Sequence, residues 1–493
     1  MKKVRNILAM LMIVALSIVS IPFSAGATSS LKNDDNVKIS VSCDKKGYTF
    51  EIYQVATLDS TTSNPYETKY NSNVPEIADT IKDGNTKDAL SQLDSIDTLP
   101  SGAKSFGAFD TDKATEKTFT DLPQGIYYIR ATEYPADVTK VENSILALPY
   151  YTSDKGWVYS YDTIELAKKV VETPPSTRKE ITNSTKDNVN YTDVSFNDKI
   201  DFRLYNTVTG SKQIKLTTYT VYDEMSKGLS LDSKSFSVYL ADKDMNKIAD
   251  IQKGNYTLNI TKAKAGEQTD FNVALSKDYL AKNDFYENNV AYLIVDYSAN
   301  LNKYAIIGKE GNPNTDTKLE YGNRSKTSYV EGNTVYVYTY CVGATKYDEK
   351  GNKLAGAEFA LYKTIEDATA QQNEIAVGTS DSDGKVVFIA NKSNNEIRLQ
   401  SGKYYVVETK APEGYNLYGK VIEINAEATY NDTIVNGTYV NQCPDNGIAT
   451  VDVTDSKVTL PQTGGHVIYF TFAGIALIAL GGISLTLLKK KRN

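Results

Sequence analysis

The sequence predicts an all-β protein made of three tandem β-sandwiches. Short stretches that alternate apolar and polar residues, such as 334–340 and 403–408, are separated by turns containing Gly, Asn and Asp. The aromatic residues are mostly tyrosine, with 36 Tyr against 14 Phe and one Trp, which suits half-exposed strands of antiparallel sheets. Weak helical patterns occur at 77–93 and at 365–372. Short, evenly spaced strands with polar turns favour sandwiches over helical folds.

An internal repeat defines the domain organisation. Residues 124–135 align without gaps on residues 401–412, and the Phe-Glu-Ile-Tyr stretch at 50–53 matches Phe-Ala-Leu-Tyr at 359–362. Two related domains therefore flank a different central domain. The Pro-Pro-Ser-Thr linker at 174–177 and the Cys-Val-Gly stretch at 341–343 mark the boundaries. We expect domains at 28–172, 173–342 and 343–459.

Composition excludes several classes of function. The chain has 493 residues and a formal charge of −7. Its two terminal segments, 1–27 and 464–493, hold seven of the 54 basic residues and none of the 61 acidic ones, so the chain between them carries −14. Such an acidic protein is not expected to bind nucleic acid. The single histidine, His466, lies in a terminal segment, which excludes His-based nucleophilic catalysis and His-ligated zinc in the body. No cofactor or metal site is expected.

Both ends of the chain carry targeting patterns. Residues 1–27 combine an early basic cluster, an apolar run and a final Ala-Gly-Ala, which predicts a secretory signal peptide and a mature chain beginning at Thr28. Residues 467–488 form an uncharged run of 22 residues, long enough for a transmembrane helix, and a basic tail follows at 489–492. Directly before that run lies the pentapeptide Leu460-Pro461-Gln462-Thr463-Gly464.

The pentapeptide, the apolar run and the basic tail resemble the LPxTG sorting signal of Gram-positive surface proteins. The resemblance implies that a sortase cysteine cleaves between Thr463 and Gly464 and passes the Thr463 acyl group to an amine. The transmembrane helix is then a temporary retention device. Implied partners are class C and housekeeping sortases, identical subunits in a covalent polymer, ancillary pilins, peptidoglycan and host surface ligands.

Residues 343–415 resemble the CnaB-type domains of Gram-positive pilins and adhesins. The matching stretches are 344–348, 354–362, 381–385 and 404–415. In that family a first-strand lysine forms an isopeptide bond with a last-strand Asn or Asp, promoted by a glutamate. The resemblance assigns Lys346 as the amine and Glu408 as the promoter. Asp455 is the expected acceptor, with Asn441 and Asn436 as alternatives.

The residue types suit the chemistry. Burial lowers the pKa of an amine and makes it a neutral nucleophile, whereas burial raises the pKa of a carboxyl group so that it can protonate or polarise the acceptor carbonyl. Glu408 alternates with Val406 along its strand and should share the inward face. An Asp acceptor would release water, and an Asn acceptor would release ammonia.

Residues 179–325 resemble the middle domain of shaft pilins, which implies CnaA-type, immunoglobulin-like architecture. The matching stretches are 179–181, 219–229, 295–302, 311–314 and 319–323. By this resemblance Lys179 is the amine, Asp223 the promoting carboxyl group and Asn323 the acceptor. Asn302 and Lys186 are the alternatives.

The N-terminal domain departs from this pattern. In the gapless repeat Ala131 stands where the C-terminal domain has Glu408, so we predict no isopeptide bond in residues 28–172; Glu133 is the only nearby substitute. Pilins of this family also carry a lysine near the end of this domain that attacks the Thr acyl group of the next subunit. Here Leu-Ala-Lys replaces the usual Tyr-Pro-Lys, and Lys168 is the first candidate and Lys169 the second.

Three cysteines are an odd number for an exported protein. Cys341 and Cys443 bracket the C-terminal domain and are the candidate disulfide pair, which leaves Cys43 free.

Together these features favour a non-enzymatic pilin, the major shaft subunit of a sortase-assembled pilus. Thr463 of one subunit would be joined to Lys168 of the next, and internal isopeptide bonds would stiffen the fibre. The alternative is a wall-anchored monomeric adhesin or a pilus-base or ancillary subunit, with Thr463 joined to peptidoglycan. Both predict a secreted, cell-wall-anchored surface protein.

Overall fold

The computed structural model describes residues 30–32, 36–64, 67–82, 86–152, 154–261, 266–391 and 394–458. The predicted signal peptide, the pentapeptide and the predicted transmembrane helix lie outside these residues. In the described part of the chain, no helix is long and apolar enough to cross a membrane.

The chain forms two compact units. The first contains the described residues up to Asp193 together with Asn197–Ala305 and Asn312–Val337. The second contains Val194–Phe196, Ile306–Gly311 and the described residues from Tyr338 onward. Within the first unit, residues 37–172 and residues 177–337 form separate sets of sheets, which we call the N-terminal and middle domains. Residues 341–458 are called the C-terminal domain.

The N-terminal domain combines a small three-stranded sheet, ordered β11-β1-β5, with a larger sheet ordered β3-β2-β6-β8, to which β4 adds by pairing with β2. Its strands and helices are β1 (Val37–Ser42), β2 (Thr49–Leu58), β3 (Tyr70–Ser72), α1 (Ala78–Lys82), α2 (Thr86–Asp94), β4 (Lys104–Asp110), β5 (Glu116–Leu122), β6 (Gly125–Glu133), β7 (Val138–Val141), β8 (Ser144–Leu148), β9 (Tyr150–Thr152), β10 (Gly156–Val158), β11 (Ser160–Glu165) and β12 (Val170–Glu172).

Strand β2 separates two apolar layers of the N-terminal domain. Its alternating residues Phe50 and Ile52 enter the core between the sheets, where they meet strands β1 and β6. Val55 and Ala56 instead contribute to a second cluster that buries the apolar residues of α1 and α2. The helices therefore form because the outer face of this sheet offers an apolar surface for them to cover.

The middle domain is a sandwich of two sheets. Their orders are β13-β15-β21-β17-β18 and β14-β24-β22-β16-β20-β19, with β23 paired to β22. The elements are β13 (Thr177–Ile181), β14 (Tyr191–Asp193), β15 (Lys199–Thr207), β16 (Leu216–Met225), β17 (Leu229–Ala241), β18 (Lys247–Asp250), β19 (Tyr256–Thr261), β20 (Thr269–Leu275), α3 (Lys277–Leu280), β21 (Tyr292–Leu301), β22 (Asn312–Asn323), β23 (Thr327–Glu331) and β24 (Val335–Tyr338).

The C-terminal domain packs a three-stranded sheet, β28-β25-β34, and a five-stranded sheet, β29-β27-β26-β30-β31, beside a β32–β33 hairpin. The elements are β25 (Cys341–Asp348), β26 (Glu358–Tyr362), α4 (Ile365–Ala370), β27 (Ala376–Thr379), β28 (Lys385–Val387), β29 (Ile389–Ala390), β30 (Lys403–Lys410), β31 (Ile422–Asn425), β32 (Thr429–Val435), β33 (Thr438–Gln442) and β34 (Ile448–Asp455). The all-β prediction is confirmed, and helices occur in both stretches where helical patterns were predicted.

The sequence repeat corresponds to a repeat in topology. In both outer domains the first strand lies between a parallel partner and an antiparallel one, β11-β1-β5 in one and β34-β25-β28 in the other. The register is also shared, because Phe50 pairs with Ala131 just as Phe359 pairs with Glu408.

A turn of the middle domain contacts the N-terminal domain within the first unit. This interdomain turn, residues 323–326, joins β22 to β23. Its Ser325 hydroxyl donates to the Thr132 carbonyl at 3.1 Å, and its Lys326 ammonium donates to the Gly47 carbonyl at 3.1 Å. All of its interdomain hydrogen bonds described here end on backbone carbonyls of the N-terminal domain.

Candidate functional site

Three strands of the C-terminal domain bring Lys346, Glu408 and Asp455 together in its core. Lys346 lies on β25 and pairs with Val453 of the parallel strand β34, so that Asp455 occupies the next inward position of that strand. Glu408 enters from β30 in the facing sheet. The Lys346 Nζ lies 2.8 Å from Glu408 Oε1 and contacts Asp455 Oδ1. All three side chains are buried. We call them the C-terminal triad.

Burial changes the protonation equilibrium of Glu408 in this triad. Burial raises the pKa of Glu408, and the negative charge of Asp455 raises it further. The Lys346 ammonium and the Tyr418 backbone N–H, which donates at 2.6 Å, act in the opposite direction. Among the described residues neither Glu408 Oε1, whose contact with Lys346 lacks hydrogen-bond geometry, nor Asp455 Oδ2 has a hydrogen-bond partner. A proton on Glu408 relieves the charge repulsion between the two carboxyl groups.

The middle domain holds a second buried lysine. Lys179 on β13 directs its Nζ toward Asp223 of β16, which accepts a hydrogen bond from it, and toward Asn314 of β22. The distance from Nζ to Asn314 Oδ1 is 2.6 Å, and the backbone carbonyl of Asn314 lies 2.9 Å away. We call Lys179, Asp223 and Asn314 the middle triad. All three side chains are buried.

A tyrosine forms hydrogen bonds with two members of the middle triad. The Tyr297 hydroxyl on β21 donates to Asp223 Oδ2 and accepts a hydrogen bond of 2.7 Å from Asn314 Nδ2. Burial raises the pKa of Asp223 above its ordinary value, although Lys179 and the Tyr297 hydroxyl oppose the shift. The side-chain carbonyl of Asn314 therefore faces the amine, and its nitrogen faces the phenol.

The structure does not bring the predicted acceptor Asn323 to Lys179. Asn323 and Asn314 lie on the same strand β22, nine positions apart, which is roughly 30 Å along an extended chain. Asn323 instead belongs to the interdomain turn, where its Nδ2 donates to the Pro135 carbonyl at 3.0 Å and its Oδ1 accepts from the Ser325 backbone N–H at 2.8 Å. Asn314 occupies the position predicted for Asn323.

The alternative residues of both domains lie in other contacts. Asn302 donates to the Lys227 carbonyl at 2.8 Å, and the Lys186 ammonium lies 3.1 Å from Asp193. In the C-terminal domain Asn436 occupies the turn between β32 and β33 with φ of 52°, and Asn441 is exposed. Of the candidate acceptors, Asp455 contacts the Lys346 amine and Asn314 contacts the Lys179 amine, whereas the alternatives lie elsewhere.

Comparison with known proteins agrees with this architecture. Residues 341–438 match the SpaA prealbumin-like fold domain, and residues 452–493 match the LPXTG cell wall anchor motif. The trypsin-resistant surface T6 protein of Streptococcus pyogenes serotype M6 is 28% identical over 289 residues, which are 54% of this chain and 48% of that protein. The chain therefore spans about half the length of the curated relative that it matches.

A solved pilin structure shares the fold. The full-length RrgB pilus protein of Streptococcus pneumoniae superimposes with a TM-score of 0.52 at 15% identity, covering 87% of this chain and 99% of that one. The T6 backbone pilin of S. pyogenes gives a TM-score of 0.49 at 18% identity, covering 87% of this chain and 100% of that one.

The C-terminal part of the chain is therefore similar to the SpaA prealbumin-like domain, and it carries a match to the LPXTG cell wall anchor motif. The domain match includes Lys346 and Glu408, and the anchor match includes Asp455 and the pentapeptide.

In the N-terminal domain, apolar side chains occupy the place where the C-terminal domain has its triad, and we call them the apolar plug. Val41 pairs with Ile164 in the parallel β1–β11 pair, and Leu166 is the next inward residue. Val41, Ala131 and Leu166 all lie in one apolar cluster. Glu133 does not substitute for the missing promoter, because it is exposed and accepts a hydrogen bond from the Thr49 hydroxyl at 2.8 Å.

The candidate linkage lysines lie on the short loop between β11 and β12. Lys168 has 70% of its side chain exposed and lies 3.2 Å from Glu165. Lys169 is 49% exposed and lies 3.6 Å from Glu142. Ala167, which precedes them, has φ of 52°, so the loop turns sharply and directs Lys168 toward solvent.

The predicted disulfide is wrong. All three cysteines lie among the described residues, and each is a free thiol. The Cys341 thiol donates to the Val342 carbonyl at 3.5 Å, whereas the Cys443 thiol donates to the Pro444 carbonyl at 3.4 Å. Burial raises the pKa of Cys341 to about 12, which suppresses the thiolate that disulfide formation needs.

Sequence reasoning missed Asn314 and Tyr297. Asn314 lies inside the Gly-Asn-Pro-Asn stretch at 311–314 that supported the pilin resemblance. Its position in the sheet follows only from the strand register, in which Asn314 pairs with Met225. Tyr297 alternates with Val295 on an apolar strand and is indistinguishable by pattern from a core aromatic residue.

Proposed function

We propose that this chain is the major shaft subunit of a covalent pilus, in which Thr463 of one subunit is joined to Lys168 of the next by a class C sortase. A housekeeping sortase then attaches the finished polymer to peptidoglycan. In this function the chain is a structural protein and a sortase substrate, and its only chemistry of its own is the joining of internal lysines to carboxyl or amide groups.

The observation that carries the proposal is the pair of buried triads, each of which connects the first strand of a domain to one of its last. In the C-terminal triad the Lys346 amine attacks the Asp455 carboxyl carbon and water leaves. In the middle triad the Lys179 amine attacks the Asn314 amide carbon and ammonia leaves. Both bonds are amides, so each reaction exchanges a side-chain carboxyl or amide group for an isopeptide.

The placement of these bonds suits a load-bearing fibre. A pulling force that enters at the first strand of the C-terminal domain leaves at β34, its parallel neighbour, and the Lys346–Asp455 bond links these strands directly. The sandwich core beside them is then bypassed by the load. The apolar plug of the N-terminal domain offers no such bond, so this domain depends on its core packing alone.

Lys168 is the side chain best suited to receive the Thr463 acyl group. It stands on an exposed loop of the N-terminal domain, where a sortase acyl-enzyme can approach it. Its neighbour Glu165 is also exposed, so the ion pair between them is weak and readily broken by an incoming enzyme.

Linkage is tested in the native bacterium. We expect high-mass ladders in wall extracts of the wild type, their loss in Lys168→Ala and their persistence in Lys169→Ala, which is the matched control one residue away. Mass spectrometry of digested ladders should contain a peptide that joins Thr463 to Lys168. Ladders that persist in both variants contradict this linkage, and a wild type released only as monomer joined to peptidoglycan favours the wall-anchored adhesin instead.

The internal bonds are tested by intact mass of the mature chain, residues 28–463. The wild type should be lighter than its sequence mass by one water and one ammonia. Asn314→Ala should restore the mass of the ammonia alone, whereas Asp455→Ala should restore that of the water alone. A wild type with its full sequence mass refutes both bonds.

A further inference from the structure

We propose that Tyr297 is a catalytic residue of the middle-domain reaction and delivers the proton that allows the Asn314 side-chain nitrogen to leave as ammonia. This inference rests on the proposed Lys179–Asn314 bond and adds the group that makes the bond achievable with an amide acceptor.

An amide nitrogen does not leave as an anion, so it must be protonated during the reaction. The site is buried: Lys179 and Asn314 are both 0% exposed, and Tyr297 is 1% exposed. A group of the protein must therefore bring the proton. The hydroxyl of Tyr297 lies 2.7 Å from Asn314 Nδ2, within hydrogen-bond reach of the leaving atom.

The existing hydrogen bonds form the required path. In the ground state Asn314 Nδ2 donates to the Tyr297 oxygen, and the Tyr297 hydroxyl donates to Asp223 Oδ2. The other oxygen of Asp223 accepts from the Lys179 Nζ. The attacking nitrogen and the leaving nitrogen are thus the two ends of one chain that runs through a carboxyl group and a phenol.

During the reaction a proton moves along this hydrogen-bonded chain from the attacking nitrogen to the leaving nitrogen. When the neutral Lys179 Nζ bonds to the Asn314 side-chain carbonyl carbon, the π electrons of the carbonyl move to Oδ1 and the leaving nitrogen regains a localised lone pair. That nitrogen then accepts the Tyr297 proton, and the phenol recovers a proton from Asp223, which has taken one from Nζ. When the C–N bond breaks, Oδ1 reforms the carbonyl. One proton has moved from Nζ to the nitrogen that leaves as ammonia.

The surroundings hold the phenol in place for this task. The Tyr297 ring stacks on Phe202 with 5.1 Å between centroids and on Phe236 with 5.7 Å, and Phe271 meets it edge-on at 4.8 Å. Three aromatic neighbours leave the ring little freedom to rotate away from Asn314. The hydroxyl is therefore fixed at the leaving atom before the reaction begins.

The C-terminal triad provides an internal contrast. Its acceptor Asp455 releases water, and the leaving oxygen of a carboxyl group carries or accepts a proton more easily than an amide nitrogen. Among the described residues no hydroxyl bonds to Asp455 Oδ2. The phenol accompanies the amide acceptor and not the acid acceptor.

The test is Tyr297→Phe in the mature chain, which keeps the ring and its stacking. Tyr219→Phe is the matched control, because Tyr219 is equally buried in the same domain and its hydroxyl donates at 2.8 Å to the Thr207 carbonyl, away from the triad. We expect Y297F to retain the mass of one ammonia after purification and to lose it at least about 100-fold more slowly than the wild type. Y219F should lack the ammonia fully.

A double variant separates proton delivery from general positioning. Y297F/N314D replaces the amide acceptor by an acid and reproduces the acceptor type of the C-terminal triad, so it should recover bond formation with loss of water. The inference is overturned if Y297F forms the bond as fast as Y219F, or if the folded double variant reacts as slowly as Y297F. A wild type that never loses ammonia refutes the proposed bond itself and is distinguishable from both results.

A second measurement covers the case in which Y297F fails to fold. Site-specific 3,5-difluorotyrosine at position 297 preserves the ring and the hydroxyl but makes the phenol a stronger acid. In cell-free synthesis, with bond formation timed from chain release, its rate should differ from the wild type, and the pH profile should move to lower pH. An unchanged rate and profile overturn the inference.

Discussion

Glu408→Gln is the sharpest test of the C-terminal triad. The substitution keeps the shape of the side chain and leaves the contact of Lys346 with Asp455 intact, but it removes the acidic proton next to the acceptor. We therefore expect no bond, and the mature chain should be heavier than the wild type by one water, apart from the small difference between Gln and Glu.

The loss of the bond has a calculable cost. Lys346 and Asp455 are 109 residues apart, and a cross-link that closes a loop of this length stabilises the folded state by about 5 kcal/mol through the entropy of the unfolded chain. For a domain of this size 1 kcal/mol corresponds to about 4 °C in Tm. The C-terminal transition of Glu408→Gln should therefore fall by roughly 20 °C in scanning calorimetry of the mature chain.

Glu423→Gln provides the control for this experiment. Glu423 lies on the neighbouring strand β31, is half exposed and lies 2.8 Å from Lys403, so its loss costs at most about 1 kcal/mol. The reasoning is refuted if Glu408→Gln still loses one water, or if it lacks the bond and yet unfolds at the temperature of the wild type.

Three further outcomes are expected. The Asn323→Ala variant should still lose one ammonia from the middle domain, as measured by intact mass, because Asn323 belongs to the interdomain turn. If this variant retains the ammonia, Asn323 and not Asn314 is the acceptor. Burial raises the pKa of Asp94 above its unfolded value, so the N-terminal domain should lose stability as pH rises through that raised pKa. Asp94→Asn should remove this pH dependence of the free energy of unfolding, measured by denaturant titrations at several pH values. If the pH dependence stays, Asp94 is not its source. Thiol titration of the unfolded, unreduced mature chain should find three thiols, and a count of one would restore the disulfide; the three are Cys43, Cys341 and Cys443.

The sequence alone was sufficient to predict site residues that follow from a local pattern. Alternation along a strand placed Glu408 on an inward face, and the gapless repeat identified Ala131 as the residue at the same position of the N-terminal domain. The observed register agrees, since both residues pair with a phenylalanine of the preceding core strand. Local periodicity and internal repetition are properties that a single sequence contains.

The sequence alone could not predict site residues whose identity depends on the register between strands. Asn314 and Asn323 share one strand, and choosing between them requires the register of β22 against β16, which long-range pairing sets. Predicting the role of Tyr297 is harder still, because its hydroxyl meets side chains from two other strands, Asp223 of β16 and Asn314 of β22. The cysteine pairing failed for the same reason, since bracketing a domain in sequence does not fix where two thiols point.

The interdomain turn has an evolutionary consequence. Because its donors bond to main-chain carbonyls, exchange of most side chains on the opposing face leaves every acceptor in place. Gly47 is the exception, since its φ is +84° and an added Cβ would lie 3.3 Å from the Lys326 ammonium. The surface side chains of the N-terminal domain can therefore change without removing an acceptor of the interdomain turn, and Gly47 is the position in that contact where a side chain is constrained.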